Sequence, residues 1–525
     1  MSAVASVPAS TGGAEDLRTG RSGGEGSSPL AGWGVYLRIL LRRFRVQIVA
    51  WVLPLWLLVS ITAPSYESVY PSLETRTVLI EQMRKSPGTR LLYGYVPAPG
   101  RLGQLLQWET GTFLLVCTAL MAILLTCRVL RGDEDEGFVE VLRATGVGRI
   151  VPFLVPMALV WAVVGALSVG VGGILTWQTG SIEELTVSGA WALAGTMCVA
   201  GWAFSAVAAV ASQLGRQVGQ ARSLSMLVLA AAFSVRVAAD EVTEGSGSDW
   251  LRWLSPLGWR DLVRPYSNDR FMVLAACCVV AVALVIVAVA LASRREYLDS
   301  YLPDRSSSQR RWRIRGHMDL LGRLSWRGVL GWAAASAGLA SLYGSVSGSV
   351  NDLMAPDSPT ASWVSKMASG SPVEQFISLM TVVTVLLVAV AAVRRMNRLA
   401  FLERAGLAEV ELAAGVGRRR LFLSQVLGAL IESIVLLLVS GTVLAATTAT
   451  QLTDEHAVAR SFVFTMSQLP GMVAAVGIAA ALVGLAPRLV GLSWGAVVWS
   501  AFAQFFGGLV ELKDWAKDLS VLGHH

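Results

Sequence analysis

Residues 134–149 read EDEGFVEVLRATGVGR and follow directly on a run of leucines; residues 403–418 read ERAGLAEVELAAGVGR, and nine of the sixteen positions are identical. The shared positions are Glu134/Glu403, Gly137/Gly406, Glu140/Glu409, Val141/Val410, Ala144/Ala413, Gly146/Gly415, Val147/Val416, Gly148/Gly417 and Arg149/Arg418. A charged, glycine-punctuated segment placed twice in an apolar chain, 269 residues apart, implies one device used twice. Its surroundings decide what kind of device it is.

Those surroundings belong to a membrane. Of 525 residues, 54% are hydrophobic and 15% charged, against about 25% charged in soluble domains. Mean hydropathy is +0.58. Apolar runs fall at 46–63, 110–130, 150–176, 188–212, 223–239 and 271–293, then at 329–346, 377–396, 421–450, 463–485 and 494–510. Most reach the length needed to cross the hydrocarbon layer. The expected fold is an all-α polytopic membrane protein with six spans in its first half and five in its second.

Basic residues set the orientation. With a cytoplasmic N-terminus, the loops on that side carry 29 Arg and the opposite side 13 basic residues; the linker 294–327 alone holds nine Arg. The positive-inside rule therefore places the N-terminus inside and the C-terminus outside. The net charge of +7 is spread over many short loops, which argues against a nucleic-acid footprint. The expected division is a disordered tail at 1–30, a first transmembrane half at 31–293, a linker at 294–317 and a second half at 318–525. Residues 1–30 lack the apolar core of a signal peptide.

The two repeated stretches then lie on the cytoplasmic side, each between the second and third spans of its half. A second duplication, DWLRWLSPLGW at 249–259 and DWAKDLSVLGH at 514–524, follows the fifth span of each half on the outer side. Each repeated segment keeps to one side, so the halves form a parallel duplication, with an expected path between them. Each half opens with a basic amphipathic stretch, VYLRILLRRFR at 35–45 and MDLLGRLSWRG at 318–328, suited to the inner headgroup level. Within 134–149, a helix from about Asp133 would bring Glu136, Glu140 and Arg143 near one face, and GVGR would end it.

The pattern E-x-x-G-x-x-E, followed by small residues and V-x-R after the second span, resembles the coupling helix of type 2 ATP-binding-cassette exporter permeases. Two such units in one chain resemble the actinobacterial permeases for tetronasin and related polyketide antibiotics. That resemblance implies a multidrug or antibiotic exporter driven by two copies of a separate nucleotide-binding subunit, which would hold ATP and Mg. It also implies hydrophobic or amphipathic cargo. Carried onto this chain, Glu134, Gly137, Glu140 and Arg149, with Glu403, Gly406, Glu409 and Arg418, would dock those subunits. The sequence shows no apolar run after 514–524, so eleven spans rather than twelve are expected.

Other chemistry finds little support. The phosphate-cradling loop needs a Gly-Lys pair, and none occurs; the five cysteines lie in apolar runs without metal-ligand spacing. No catalytic residue, bound cofactor or metal is expected in the chain itself. Glu432, in LIESIVLLL, is a functional candidate because an intramembrane carboxylate is unfavourable unless neutral, paired or wet. It is read either as a protonated side chain bonded to a neighbouring helix or as the carrier in a proton-driven transporter. Export of a lipid or metabolite is a further alternative. Arg236 is expected to snorkel outward. Trp51, Trp56, Phe113, Phe233, Trp499, Phe502 and Phe505 are candidates for the substrate path, with Arg236 and Glu432.

Overall fold

In a computed structural model, the residues described are 30–69, 76–77, 80, 93–241, 249–295, 300–302, 315–347, 372–404, 406–451, 455–506, 515 and 520–521. They are helical with no β-strand among them. A backbone surrounded by hydrocarbon must satisfy its own polar groups, and a helix does this within one segment. Nine helical stretches among the described residues are long and apolar enough to cross a bilayer. The chain is a multi-pass membrane protein.

It divides into two units. The first comprises Met1–Ser68 and Arg101–Ser306, the second Val69–Gly100 and Ser307–His525. In the first unit the long helices are α1 (Trp33–Val69), α2 (Leu102–Cys127), α4 (Val151–Gln178), α5 (Val187–Leu214), α6 (Val218–Glu241) and α9 (Phe271–Arg294). Between them lie three short helices, α3 (Phe138–Ala144), α7 (Asp249–Leu254) and α8 (Trp259–Val263). The second unit has α10 (His317–Val346), α11 (Pro372–Arg404), α12 (Leu407–Ala413), α13 (Arg418–Ala449), α14 (Glu455–Met466), α15 (Leu469–Leu485) and α16 (Leu492–Phe506).

Two of the eleven expected spans are not among the nine. The run at 329–346 is the C-terminal part of α10, whose first half carries Arg323 and Arg327. The run at 494–510 supplies only the shorter apolar stretch Leu492–Ala501. The basic stretches 35–45 and 318–328 are continuous with the apolar residues that follow them, in α1 and α10. The fourth span of the second unit is broken into α14 and α15 ahead of Pro470, at the start of α15, where proline lacks an amide hydrogen.

In the first unit α5 is the central element, packing against α2, α4, α6 and α9. Its sequence VSGAWALAGTMCVAGWAFSAVAAVASQL buries mostly alanine, glycine and serine. Small side chains let helix backbones approach closely where water supplies no driving force between them. Tyr266 closes one end. A Cβ on Gly103 of α2 or Gly189 of α5 would stand 2.5 or 2.3 Å from its ring, so both glycines make room for one aromatic. The turn holding Tyr266 is tied down on every side. The Tyr266 amide donates to Asp269 Oδ1 at 2.8 Å, Ser188 to Asp269 Oδ2 at 2.8 Å, and Gln104 to Ser267 Oγ at 2.9 Å. Burial pushes the Tyr266 phenol well above the usual tyrosine range.

Gly189→Ala should therefore lower stability by about 1–3 kcal/mol through overpacking, read as a lower Tm of the purified chain. Adding Tyr266→Leu should recover part of that loss, because it withdraws the ring that the new methyl meets.

Candidate functional site

The repeated stretches fold alike. Gly137 and Gly406 have φ of +74° and +70°, and each is followed by a seven-residue helix, α3 or α12. Gly146 and Gly415 then turn left-handed again, at +77° and +85°. Only glycine enters this region without steric penalty, which is why four glycines recur at these positions. The expectation of a single helix from about Asp133 is corrected here: the left-handed Gly137 ends one turn, Asp133–Asp135, before α3 begins.

On both short helices the same pair faces outward. Glu140 and Val141 are exposed on α3, as are Glu409 and Val410 on α12; Val141 is 64% exposed and Val410 68%. Val139 and Leu142 hold α3 to the first unit, and Ala408 holds α12 to the second. Around Gly137 and Gly406 an added Cβ would meet nothing within 4 Å. Arg149, Glu403 and Arg418 are also exposed.

Glu134 behaves differently from the docking role expected of it. It is buried, with its carboxylate 3.0 Å from Arg131 and 2.6 Å from Arg295. Arg131, 1% exposed, also donates to the Arg216 carbonyl and pairs with Asp135 at 3.2 Å. Asp135 accepts from the Val218 amide at 2.7 Å. Arg43 of α1 reaches both Asp133 at 2.8 Å and Glu136 at 2.7 Å, and its guanidinium lies over Phe138. Glu136, expected to share a face with Glu140, is exposed but tied back to Arg43 and Arg128. The acidic run is a clamp joining α1, α2, the α5–α6 turn and the residue after α9. It rises from a π-turn, Arg128–Gly132, a rare backbone form frequent at functional sites.

Among the described residues no such clamp surrounds α12. The counterparts of Asp133, Asp135 and Glu136 are Leu402, Arg404 and Ala405. Glu411 instead lies 3.7 Å from His317 at the start of α10, and Arg404 donates to the Pro487 carbonyl.

The intramembrane candidates find partners. Glu432 is buried and its Oε2 stands 2.7 Å from an Arg395 guanidinium nitrogen on α11. Sequence reading missed Arg395 because it sits at the end of an apolar run 37 residues away, with no local pattern linking the two. Arg236 is 2% exposed rather than snorkelling: Asp240 pairs with it at 3.0 Å and Phe233 lies beneath it. Arg236, Phe233 and Arg260 line a void of about 10 Å³, room for one water at most. Arg260, also unforeseen, donates to the Trp108 carbonyl at 2.9 Å and pairs with Asp261. Trp56 packs: its indole donates to the Leu167 carbonyl at 3.0 Å, and a Cβ on Gly170 would stand 2.2 Å from its ring. Trp51 and Trp499 are half-buried and Phe113 is exposed; the side chains of Phe502 and Phe505 lie outside the described residues.

The outer repeat shows the same economy. Trp250 and Trp515 are 60% and 65% exposed, while Ser255 and Ser520, each five positions on, are buried. Most of 514–524 lies outside the described residues.

Residues 314–525 match the family described as "Multidrug efflux system permease Rv1217c, C-terminal domain". Over 493 residues the chain is 29% identical to the multidrug efflux system permease protein Rv1217c of Mycobacterium tuberculosis, covering 93% of this chain and 88% of the relative. The chain is a homologue of that permease. The matched segment starts just ahead of α10 and runs through the second unit, α12 included.

Two outcomes follow from the ion pairs. Arg43→Gln should cost about 2 kcal/mol, because the fully buried Asp133 carboxylate loses a charged partner; Asp133→Asn in the same chain should return much of it in an unfolding double-mutant cycle. Glu432→Gln leaves Arg395 uncompensated and should cost about 3–5 kcal/mol, whereas Arg395→Leu/Glu432→Leu should fold as well as the parent. Thermal unfolding reads the stabilities. A well-folded double variant that transports normally would dispose of Glu432 as a proton carrier.

Proposed function

We propose that this chain is the membrane-spanning permease of an ATP-driven multidrug efflux system. It extrudes hydrophobic or amphipathic compounds and draws its energy from two copies of a separate nucleotide-binding subunit, which hold ATP and Mg. The chain is a transporter component rather than a standalone enzyme. Its N-terminus faces the cytoplasm, and α3 and α12 lie on that side as the two docking helices.

One observation carries this reading: the same left-handed glycine, seven-residue helix and left-handed glycine occur twice, each presenting Glu–Val outward. A loop that merely joined two spans would have no reason to keep an outward apolar side chain next to an outward carboxylate in both copies. An exposed Val beside a Glu suits a protein surface with an apolar floor and a basic rim. The open space around Gly137 and Gly406 lets such a surface approach the backbone. The similarity to an efflux permease over nearly the whole chain supports the same reading. The first helix is braced by the acidic clamp and the second is not, so the two dockings differ in rigidity.

The test is charge reversal in the reconstituted complex. Glu140→Arg or Glu409→Arg should lower transport per ATP hydrolysed, or the yield of the complex, by about tenfold if the contact is buried on docking. Glu409→Arg should be the weaker lesion, because the less braced α12 can readjust. Wild-type assembly and coupling in both variants would overturn the docking assignment, and mass measurement of one permease with two ATPase chains checks the stoichiometry.

A further inference from the structure

The second unit holds a cavity of about 410 Å³ between α10, α11 and α13, within the size range of sites for drug-sized molecules. Its wall is almost wholly apolar, with Leu321, Trp326 and Leu330 from α10 and Ile431 and Val435 from α13. Two polar features are set into this wall: Ser325, whose hydroxyl is turned back onto the Leu321 carbonyl, and the Arg395–Glu432 pair. We propose that this cavity binds an uncharged amphiphile, with its apolar body along α10 and a hydroxyl or amide group on that ion pair.

Three observations set the ligand class. First, the pair is internally neutral, so a ligand with a net charge would enter an apolar site without a compensating partner, which is strongly unfavourable. Second, the pair is bonded through Glu432 Oε2 and an Arg395 terminal nitrogen, while Glu432 Oε1 and Arg395 Nε are buried without a hydrogen-bond partner. An unpaired acceptor and an unpaired donor are costly in low dielectric, and a small rotation of the pair toward a bound hydroxyl or amide, which both donates and accepts, would satisfy both. Third, the pair is built in by backbone geometry. A Cβ on Gly428 would stand 2.5 Å from an Arg395 guanidinium nitrogen, so this glycine lets the arginine lie flat across α13.

This site goes beyond the docking helices. It rests on the exporter reading only for its physiological meaning, since binding can be measured without ATP or a partner.

The probes are dodecyl chains carrying a diazirine near one end, with alcohol, carboxylate, ammonium or methyl at the other, photolysed with the full chain in lipid nanodiscs and mapped by mass spectrometry. The alcohol should label 318–330 and 428–435 about tenfold more than the methyl probe, the advantage of hydrogen bonds to charged groups; both ionic probes should fall well below it. In Arg395→Leu/Glu432→Leu, which keeps the apolar volume, that preference should vanish. Ser325→Trp, which fills the cavity, should abolish labelling by the alcohol. Dioleoylglycerol as competitor separates the two sources of such a molecule: displacement marks a lipid, persistence a smaller diffusing amphiphile. Equal labelling by all four probes, or an alcohol preference unchanged in the double variant, would overturn the assignment. Loss of ATP-coupled transport with the labelling pattern intact would count against the exporter reading and leave the cavity standing.

Discussion

Arg131 is the point on which the first unit's architecture turns. A guanidinium 1% exposed must be surrounded by acceptors, and Glu134, Asp135 and the Arg216 carbonyl supply them. Those partners come from the residues just after α2 and from the turn between α5 and α6, so satisfying one cation fixes where two pairs of helices meet. Arg295 and Arg43 extend the network to the ends of α9 and α1. The position of α3 follows, because its preceding glycine hangs from the clamped segment. The root of α3 is thereby held from several helices at once.

The second unit solves the same problem with different chemistry. Its α12 springs from α11, which is helical through Arg404, with no π-turn and no acidic run. Its fixed charges lie further along, where Arg395 crosses Gly428 to meet Glu432. Of the two copies of one backbone device, the first is mounted on an acidic anchor and the second is not. The pairing in the second unit also leaves a neutral, half-satisfied polar spot in an apolar wall, which the first unit lacks at Val163, the position equivalent to Glu432.

Buried arginines recur throughout, at Arg131, Arg236 and Arg260. Each carries several donors in a fixed fork, which suits sites where carbonyl oxygens at helix ends need partners. Arg131 shows this at the Arg216 carbonyl, just after α5, while Arg260 crosses to the Trp108 carbonyl inside α2 and pairs with the neighbouring Asp261. Charges that look anomalous in an apolar chain are, in these cases, the ties between helices.

The division of labour between sequence and tertiary structure follows the range of each interaction. Helical spans were legible because the hydrocarbon imposes length and apolarity on consecutive residues, and the doubled segment because its glycines answer to local φ. The closing turns at Gly146 and Gly415 could be read that way, as could the similarity to efflux permeases, whereas the breaks at Gly137 and Gly406 were missed. The fate of Glu134 could not. Whether a carboxylate faces a partner or an arginine of its own chain depends on residues as distant as Arg295, and no local pattern encodes that encounter. The same holds for Glu432, whose meaning changed once Arg395 lay beside it, and for Trp56, which Gly170 converts from a path candidate into packing. Sequence determined nine of the eleven expected spans and the repeat with its closing turn; tertiary structure alone decided which charges are exposed, because burial is a property of neighbours brought from far along the chain.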